Sequence, residues 1–280
     1  MVKLVIGFLV IVLVVAGGVS LAARFAWEST AVREVQIFLA GISPLQSASK
    51  PIESADLVGL PTPVRRWLQH AQVLGSKPVR SVRLQQGVTL RLAADQKWLQ
   101  GTAVQYFRTE APGFVWQVRL RMNPLLHIAG RDRYVDGRGQ MLIDVQWLLP
   151  VVDASGPEVD QGTLLRYLAE TVWFPTAALS DSIQWQAVDD AAARATMTYG
   201  GVTASGIFHF DDAGQVTGFE GQRYKENAGA YTLEHWVITM ADHRNLGGLV
   251  IPTRADITWR LDSGDFHWFS CEITEIAYRH

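Results

Sequence analysis

Cysteine occurs once, at Cys271, in a chain of 280 residues, so no intramolecular disulfide can staple the fold and cysteine usage does not reveal the redox compartment. The 25 Lys and Arg stand against 27 Asp and Glu, a formal charge of −2, which leaves no positive excess to drive binding to nucleic acid. Absent too are a GxxxxGK(S/T) phosphate loop, a strand-to-helix GxGxxG, a GxSxG elbow, HExxH and paired CxxC, and with them goes support for the common nucleotide-binding, elbow-hydrolase and zinc-protease classes. His70, His127, His209, His235, His243, His267 and His280 are scattered without ligand spacing, so neither a metal nor another cofactor is expected. His209 and His235 can still meet across a sheet.

Charge is also missing between Lys3 and Arg24. At 1.5 Å per residue the run Leu4 to Ala23 covers about 30 Å, the thickness of a hydrocarbon core, so it reads as a single membrane crossing. The competing reading is a cleaved leader with a site after Ala22 in Ser20-Leu21-Ala22, but the run exceeds the roughly 7 to 15 apolar residues of such a leader, and a retained anchor is expected. No cysteine follows it to take a lipid. Lys3 and Arg24 nearly cancel in a positive-inside count, so both placements of the following domain stay open, with the extracytoplasmic side the expectation.

Hydrophobic residues make up 48% and charged residues 19%, a folding composition with ten Trp. Residues 28 to 40 set Val32, Val35, Phe38 and Leu39 at helical spacing, which predicts a helix that continues or follows the anchor. Ser, Pro and Gly then mark a linker to about residue 60, and Thr62-Pro63 opens a short helix carrying Val64, Trp67, Leu68 and Ala71. From Val79 the period becomes two, in segments such as VRSVRLQQGVTLRL, FVWQVRLRM and QMLIDVQWLL, and again after residue 183. The breaks are too short for crossover helices, so the pairing is antiparallel. Between the two strand sets, Ser155 or Gly156 followed by Pro157, then Glu158 and Asp160, marks a helix start, Leu164, Leu165, Leu168 and Val172 give its apolar side, and Pro175 ends it.

The expectation is an α+β, mainly β fold: an N-terminal transmembrane helix in residues 1–27, a juxtamembrane helix and linker in 28–60, and one domain in 61–280. That domain is a large curved antiparallel sheet or half-barrel around a central helical insertion at about 157–174. Trp98, Trp116, Trp147, Trp185, Trp236, Trp259 and Trp268 all fall in predicted strands, where they either fill a core or line a cavity for a lipid or another apolar ligand.

The densest polar group joins Arg131, Asp132, Arg133 and Tyr134 to Asp153, Glu158, Asp160, Gln161, Arg166, Tyr167 and Glu170. Arg166 and Glu170 are i,i+4 on one helix face, whereas Asp160 and Arg166 are not. Arg131, Arg133, Tyr134, Asp153, Glu158, Asp160, Arg166, Glu170 and Trp173 are therefore the candidate ligand-binding residues. Their arginines suit an anionic head group, and Asp153, Glu158 or Asp160 would serve a hydrolase if burial split their pKa values. The same charges would equally pin the insertion to the sheet. A second group, Glu220, Arg223, Tyr224, His235, Asp242 and Arg244, can pair across strands.

The run Asp153-Ala154-Ser155-Gly156-Pro157-Glu158-Val159-Asp160-Gln161-Gly162, continued by Leu165 to Glu170 and Trp173-Phe174-Pro175, resembles an uncharacterised bacterial protein family, a domain of unknown function. Gln105-Tyr106-Phe107, Gly130 to Tyr134 and Gly206 to Phe210 extend the similarity over roughly residues 60 to 278. The resemblance implies domain identity and no activity. At the level of fold, the strand count and central helix are similar to lipoprotein carriers of the LolA type, whose curved sheet wraps around helices and holds acyl chains. Three functions follow as expectations: a membrane-tethered domain that binds a lipid, acyl or amphipathic ligand without catalysis; a carboxylate-dependent hydrolase; or a structural or protein-interaction module of the cell envelope.

Overall fold

A computed structural model describes residues 2–42, 50–123, 126–227 and 229–280, with side chains from residue 15 onward except residue 16. Helix α1 runs from Val2 to Ala40, so the segment from residue 28 continues the N-terminal helix without a break. Within the expected anchor, Leu4 to Ala23, the side chains of residues 4–14 and 16 lie outside the described set. Among the described residues no helix is long and apolar enough to cross a membrane. Helix α2 (Thr62–His70) has its proline in the first turn and buries Val64, Trp67 and Leu68.

The strands are β1 (Ser81–Leu90), β2 (Leu99–Arg108), β3 (Gly113–Arg121), β4 (His127–Val135), β5 (Arg138–Val145) and β6 (Leu149–Ser155). After α3 (Pro157–Glu170) come β7 (Ile183–Ala187), β8 (Ala192–Tyr199), β9 (Val202–Phe210), β10 (Val216–Asn227), β11 (Ala230–Leu246), β12 (Leu249–Leu261) and β13 (Gly264–Arg279). All join one antiparallel sheet in the order β6-β5-β4-β3-β2-β1-β13-β12-β11-β10-β9-β8-β7. The last strand thus pairs with the first and seats the two strand sets side by side.

Flat, β4 and β8 would lie nine strand spacings apart, about 43 Å. Instead the β4–β5 turn touches the β8–β9 turn, where the Tyr134 hydroxyl donates to the Tyr199 carbonyl at 3.0 Å. A Cβ on Gly137 would stand 2.3 Å from the Gly200 carbonyl oxygen, and both glycines have positive φ, so this contact needs residues without side chains. The sheet is therefore curled into an open trough. Helix α3 lies inside it, against β3 to β6 on one wall and β8 to β10 on the other.

Strand alternation then assigns the faces. Even-numbered residues of β3, Phe114, Trp116, Val118 and Leu120, point into the trough, while Val115, Gln117 and Arg119 point out. Helix α1 covers this outer face. Val35 and Phe38 pack on Val115, Gln117 donates to the Ala31 carbonyl at 3.0 Å, and Glu28 lies 3.3 Å from Arg119. The buried stripe is Ala31, Val35 and Phe38 with Leu39 half-buried beside it, so three of the four expected positions pack on the sheet while Val32 faces solvent and Ala31 takes its place.

Two of the expected strand tryptophans sit elsewhere. Trp98 precedes β2, and Trp147 occupies the β5–β6 turn. Alternation continues unbroken through Gln146-Trp147, yet both residues adopt left-handed φ, +54° and +59°, and Leu148 N–H closes the turn on the Val145 carbonyl at 3.2 Å. Such a turn normally carries Asn-Gly. Helix α3 ends at Glu170, short of the expected 174, and two 3-10 turns carry the chain through Trp173 and Leu179.

Candidate functional site

Inside the trough the polar groups form one network on the floor set by α3. The Arg166 guanidinium donates through Nη1 to Asp132 of β4 at 2.7 Å and through Nε to Glu170 at 2.8 Å. The second oxygen of Glu170 accepts from Gln105 Nε2 of β2 at 2.7 Å. The Arg166 fork also stacks against Phe114 and Trp116, with Cζ 4.9 and 4.8 Å from the ring centres. Burial pushes the Asp132 and Glu170 carboxyls above their usual range against the pull of Arg166. Burial also acts to lower Arg166, but Glu170 and Asp132 outweigh it and hold the guanidinium above its ordinary value.

Arg223 of β10 donates through Nε to the Gly162 carbonyl at 3.2 Å and lies over Trp236, 4.8 Å from the ring centre. Burial, followed by the charge of Arg166, brings it down to about 10. Two arginines and two carboxylates leave this interior neutral. Cys271 is enclosed beside it, its thiol pushed up to about 12 by burial and by Glu170, so it stays protonated and behaves as a small apolar side chain.

The nine candidate residues divide by the pleat. Arg166 and Glu170 meet in the network. Arg131 and Arg133 stand on the outer face of β4, each 3.3 Å from Glu34 of α1. Asp160 is buried at the start of α3, where it accepts from Gly139 N–H and lies 3.1 Å from Arg138 Nη1. Asp153 sits on the exposed edge strand and accepts from Gln140 at 3.0 Å. Glu158 is half-buried at the helix start, close enough to Tyr231 to add to the burial that raises its phenol. Tyr134 is the trough-closing tyrosine, and buried Trp173 offers its carbonyl to the Tyr278 hydroxyl at 2.7 Å. Asp153, Glu158 and Asp160 thus engage separate partners.

Exposure along the inner face changes with distance from α3. Phe107, Phe114 and Tyr134, beside the helix, are fully enclosed. Toward the opposite end, Leu99 of β2, Ile143 and Val145 of β5, Leu261 of β12 and Phe266 and Phe269 of β13 are inward-facing and half-buried, with Trp268 beside them, whereas Leu90, Leu120, Ile128 and Trp259 at the same end stay buried. Among the described residues that end carries a set of apolar side chains that the fold covers only in part, with Arg91 over the Phe266 ring at 5.6 Å. Sequence reasoning selected Trp259 and Trp268 here but not Phe266 or Phe269, whose inward register depends on the bulge between Ile257 and Thr258.

On the outside, Glu220 bridges three strands: His209 Nε2 reaches one oxygen at 3.0 Å and His235 Nε2 the other at 2.8 Å, with Arg260 at 3.9 Å. Burial acts to raise Glu220, but the two imidazole bonds outweigh it and hold the carboxyl below its usual value. A depression of 340 Å³ lies over this group and a second, of 120 Å³, beside Leu39, Tyr106 and Arg279. Among the described residues no group of three His, Cys, Asp or Glu is arranged to hold a metal ion.

Comparison with solved structures finds a LolA superfamily protein from Nitrosomonas europaea, at 14% identity over 78% of this chain and 94% of that one, with a TM-score of 0.42. A DUF1329 family protein from Desulfovibrio piger aligns at 8% identity over 77% and 91%, TM-score 0.41. A beta-barrel-like protein of the DUF1849 domain of unknown function from Brucella abortus aligns at 10% identity over 72% and 100%, TM-score 0.32. No curated protein matches the sequence. The family model of DUF6920, a family of unknown function, matches residues 58–278, the whole sheet with its enclosed helix, and the chain belongs to that family.

Proposed function

We propose that this chain is a membrane-tethered domain that binds the apolar part of a lipid or other amphipathic molecule, without catalysis, at the end of the trough that α3 leaves open. The observation that carries this reading is the set of half-buried apolar side chains on the inner face away from α3, Leu99, Val145, Phe266 and Phe269, against the enclosed Phe107 and Phe114 beside the helix. A core that ends in a contiguous apolar wall marks a binding surface. Each methylene buried there would contribute about 0.8 kcal/mol. Arg166 and Glu170 seat the helix that floors this site and leave the wall itself apolar.

The tether is the uncharged run Leu4 to Ala23, about 30 Å as a helix. Because the same helix continues onto the outer face of β3 and β4, the domain starts where the run ends, with no loose linker between them. The paired state of Asp132, Glu170 and Arg166 supports binding over acid–base chemistry, since each carboxylate is already committed.

The test is photo-crosslinking of the full chain in liposomes that contain a phospholipid with a diazirine on its acyl chain, with peptides mapped by mass spectrometry. Labelling of peptides from β5 and from the start of β13 is the expected result. Labelling restricted to α1 would exclude the trough.

A further inference from the structure

We propose that the β5–β6 turn and the start of β6, with Met122 across from them, dock on the phospholipid bilayer beside α1, so that the open end of the trough faces the membrane. This rests on the anchor reading of residues 4–23 and adds an orientation to it.

The direction of α1 carries the argument. Read toward its N-terminus, the helix meets Arg108 through the Phe38 carbonyl, then Arg131 and Arg133 through Glu34, then Arg119 through Glu28, then Asp144 through Trp27, whose Nε1 donates at 3.1 Å. Last comes Trp147, with Arg24 Cζ 5.6 Å from its ring centre. Each step moves along β3 and β5 toward the ends where the β3–β4 and β5–β6 connections lie. The helix leaves the sheet there, and the uncharged run begins one residue beyond Arg24.

The surface at that exit is apolar. Leu149 is 65% exposed, Leu148 46% and Val151 58%, and across from them Met122 is 49% exposed. The β5–β6 turn is joined to the start of β4, since the His127 ring stacks on Trp147 at 5.4 Å and the Gln146 N–H donates to the His127 carbonyl at 3.0 Å. Apolar side chains collared by Trp27, Trp147 and Arg24 have the chemistry of the interface between head groups and acyl chains, where an indole and a long cationic side chain each find both phases. A bilayer is the one occupant that is already adjacent to this exit when residues 4–23 span it.

The experiment places a nitroxide at Leu149→Cys, and in a second sample at Val151→Cys, in the full chain reconstituted into phosphatidylcholine and phosphatidylglycerol vesicles. Collision with oxygen is compared with collision with a water-soluble nickel complex. Labels at Val188→Cys on the β7–β8 turn and at Val19→Cys on α1 serve as references. The expected result is oxygen accessibility above nickel accessibility at 149 and 151, near the values at 19 and opposite to those at 188. Labels at 149 and 151 that match 188 overturn the docking, whatever the value at 19, which reads the anchor separately.

Discussion

Arg166 donates to Asp132 at 2.7 Å across the inside of the trough, and through this bond α3 is fixed to the fourth strand. Arg166→Met leaves Asp132 and Glu170 enclosed without the cation that hydrogen-bonds them both, with Arg223 the remaining positive charge of the network, a loss of about 3–5 kcal/mol. Both carboxyls are already held above their usual range by burial, and without Arg166 they rise further. A carboxyl raised in the folded state favours folding below its unfolded pKa and loses that contribution as pH rises through the folded value. The variant is therefore closest to wild type in acid and furthest from it at neutral pH, as denaturant midpoints between pH 4 and 8 would show. A deficit that does not change with pH contradicts this.

Glu34 holds the outer helix to the sheet through Arg131 and Arg133, both at 3.3 Å, and all three lie partly sheltered between α1 and β4. Glu34→Ala removes both pairs and leaves the apolar contacts of Val35 and Phe38. A cost of about 1 kcal/mol is expected for such a partly exposed pairing, equivalent to about a fivefold fall in local protection. Hydrogen exchange of the full chain should show it over residues 28–40, with β8 and β9 unchanged.

Glu220 supplies an acid-side dependence. Its carboxyl is depressed in the folded state by His209 and His235, so its stabilising contribution is present above the unfolded value and disappears as pH falls through the folded one. Glu220→Gln is expected to flatten the fall in stability on acidification and to lower stability at pH 6. Equal slopes for the two proteins would remove Glu220 from the account.

The sheet and its helix were legible because alternation and the Gly156-Pro157 start are local signals. The cross-strand meeting of His209 and His235 also follows from neighbouring strands, once Glu220 is seen between them. The division of the charged run 131–134 between two faces follows from the pleat too, but what each face meets does not: Glu34 lies 97 residues before Arg131. On helix α1 the apolar spacing finds Val35, Phe38 and Leu39, but the contacts nearer the N-terminus, made by Trp27, Glu28, Ala31 and Glu34, are largely polar and hydrophobic spacing cannot find them. The turn at Gln146-Trp147 carries no turn residues at all, so a strand ran through it on paper. The open wall of the trough depends on where α3 stops covering the sheet, which is a tertiary property.

The most direct test of the central claim is native mass spectrometry of the full chain released from detergent, compared with Phe266→Asp, whose half-buried ring lies on the open wall. The account predicts one lipid-sized adduct per wild-type chain that survives removal of the detergent and is lost in the variant, while both keep the same near-ultraviolet circular dichroism. Chains without an adduct, or an adduct equally retained by the variant, would contradict it.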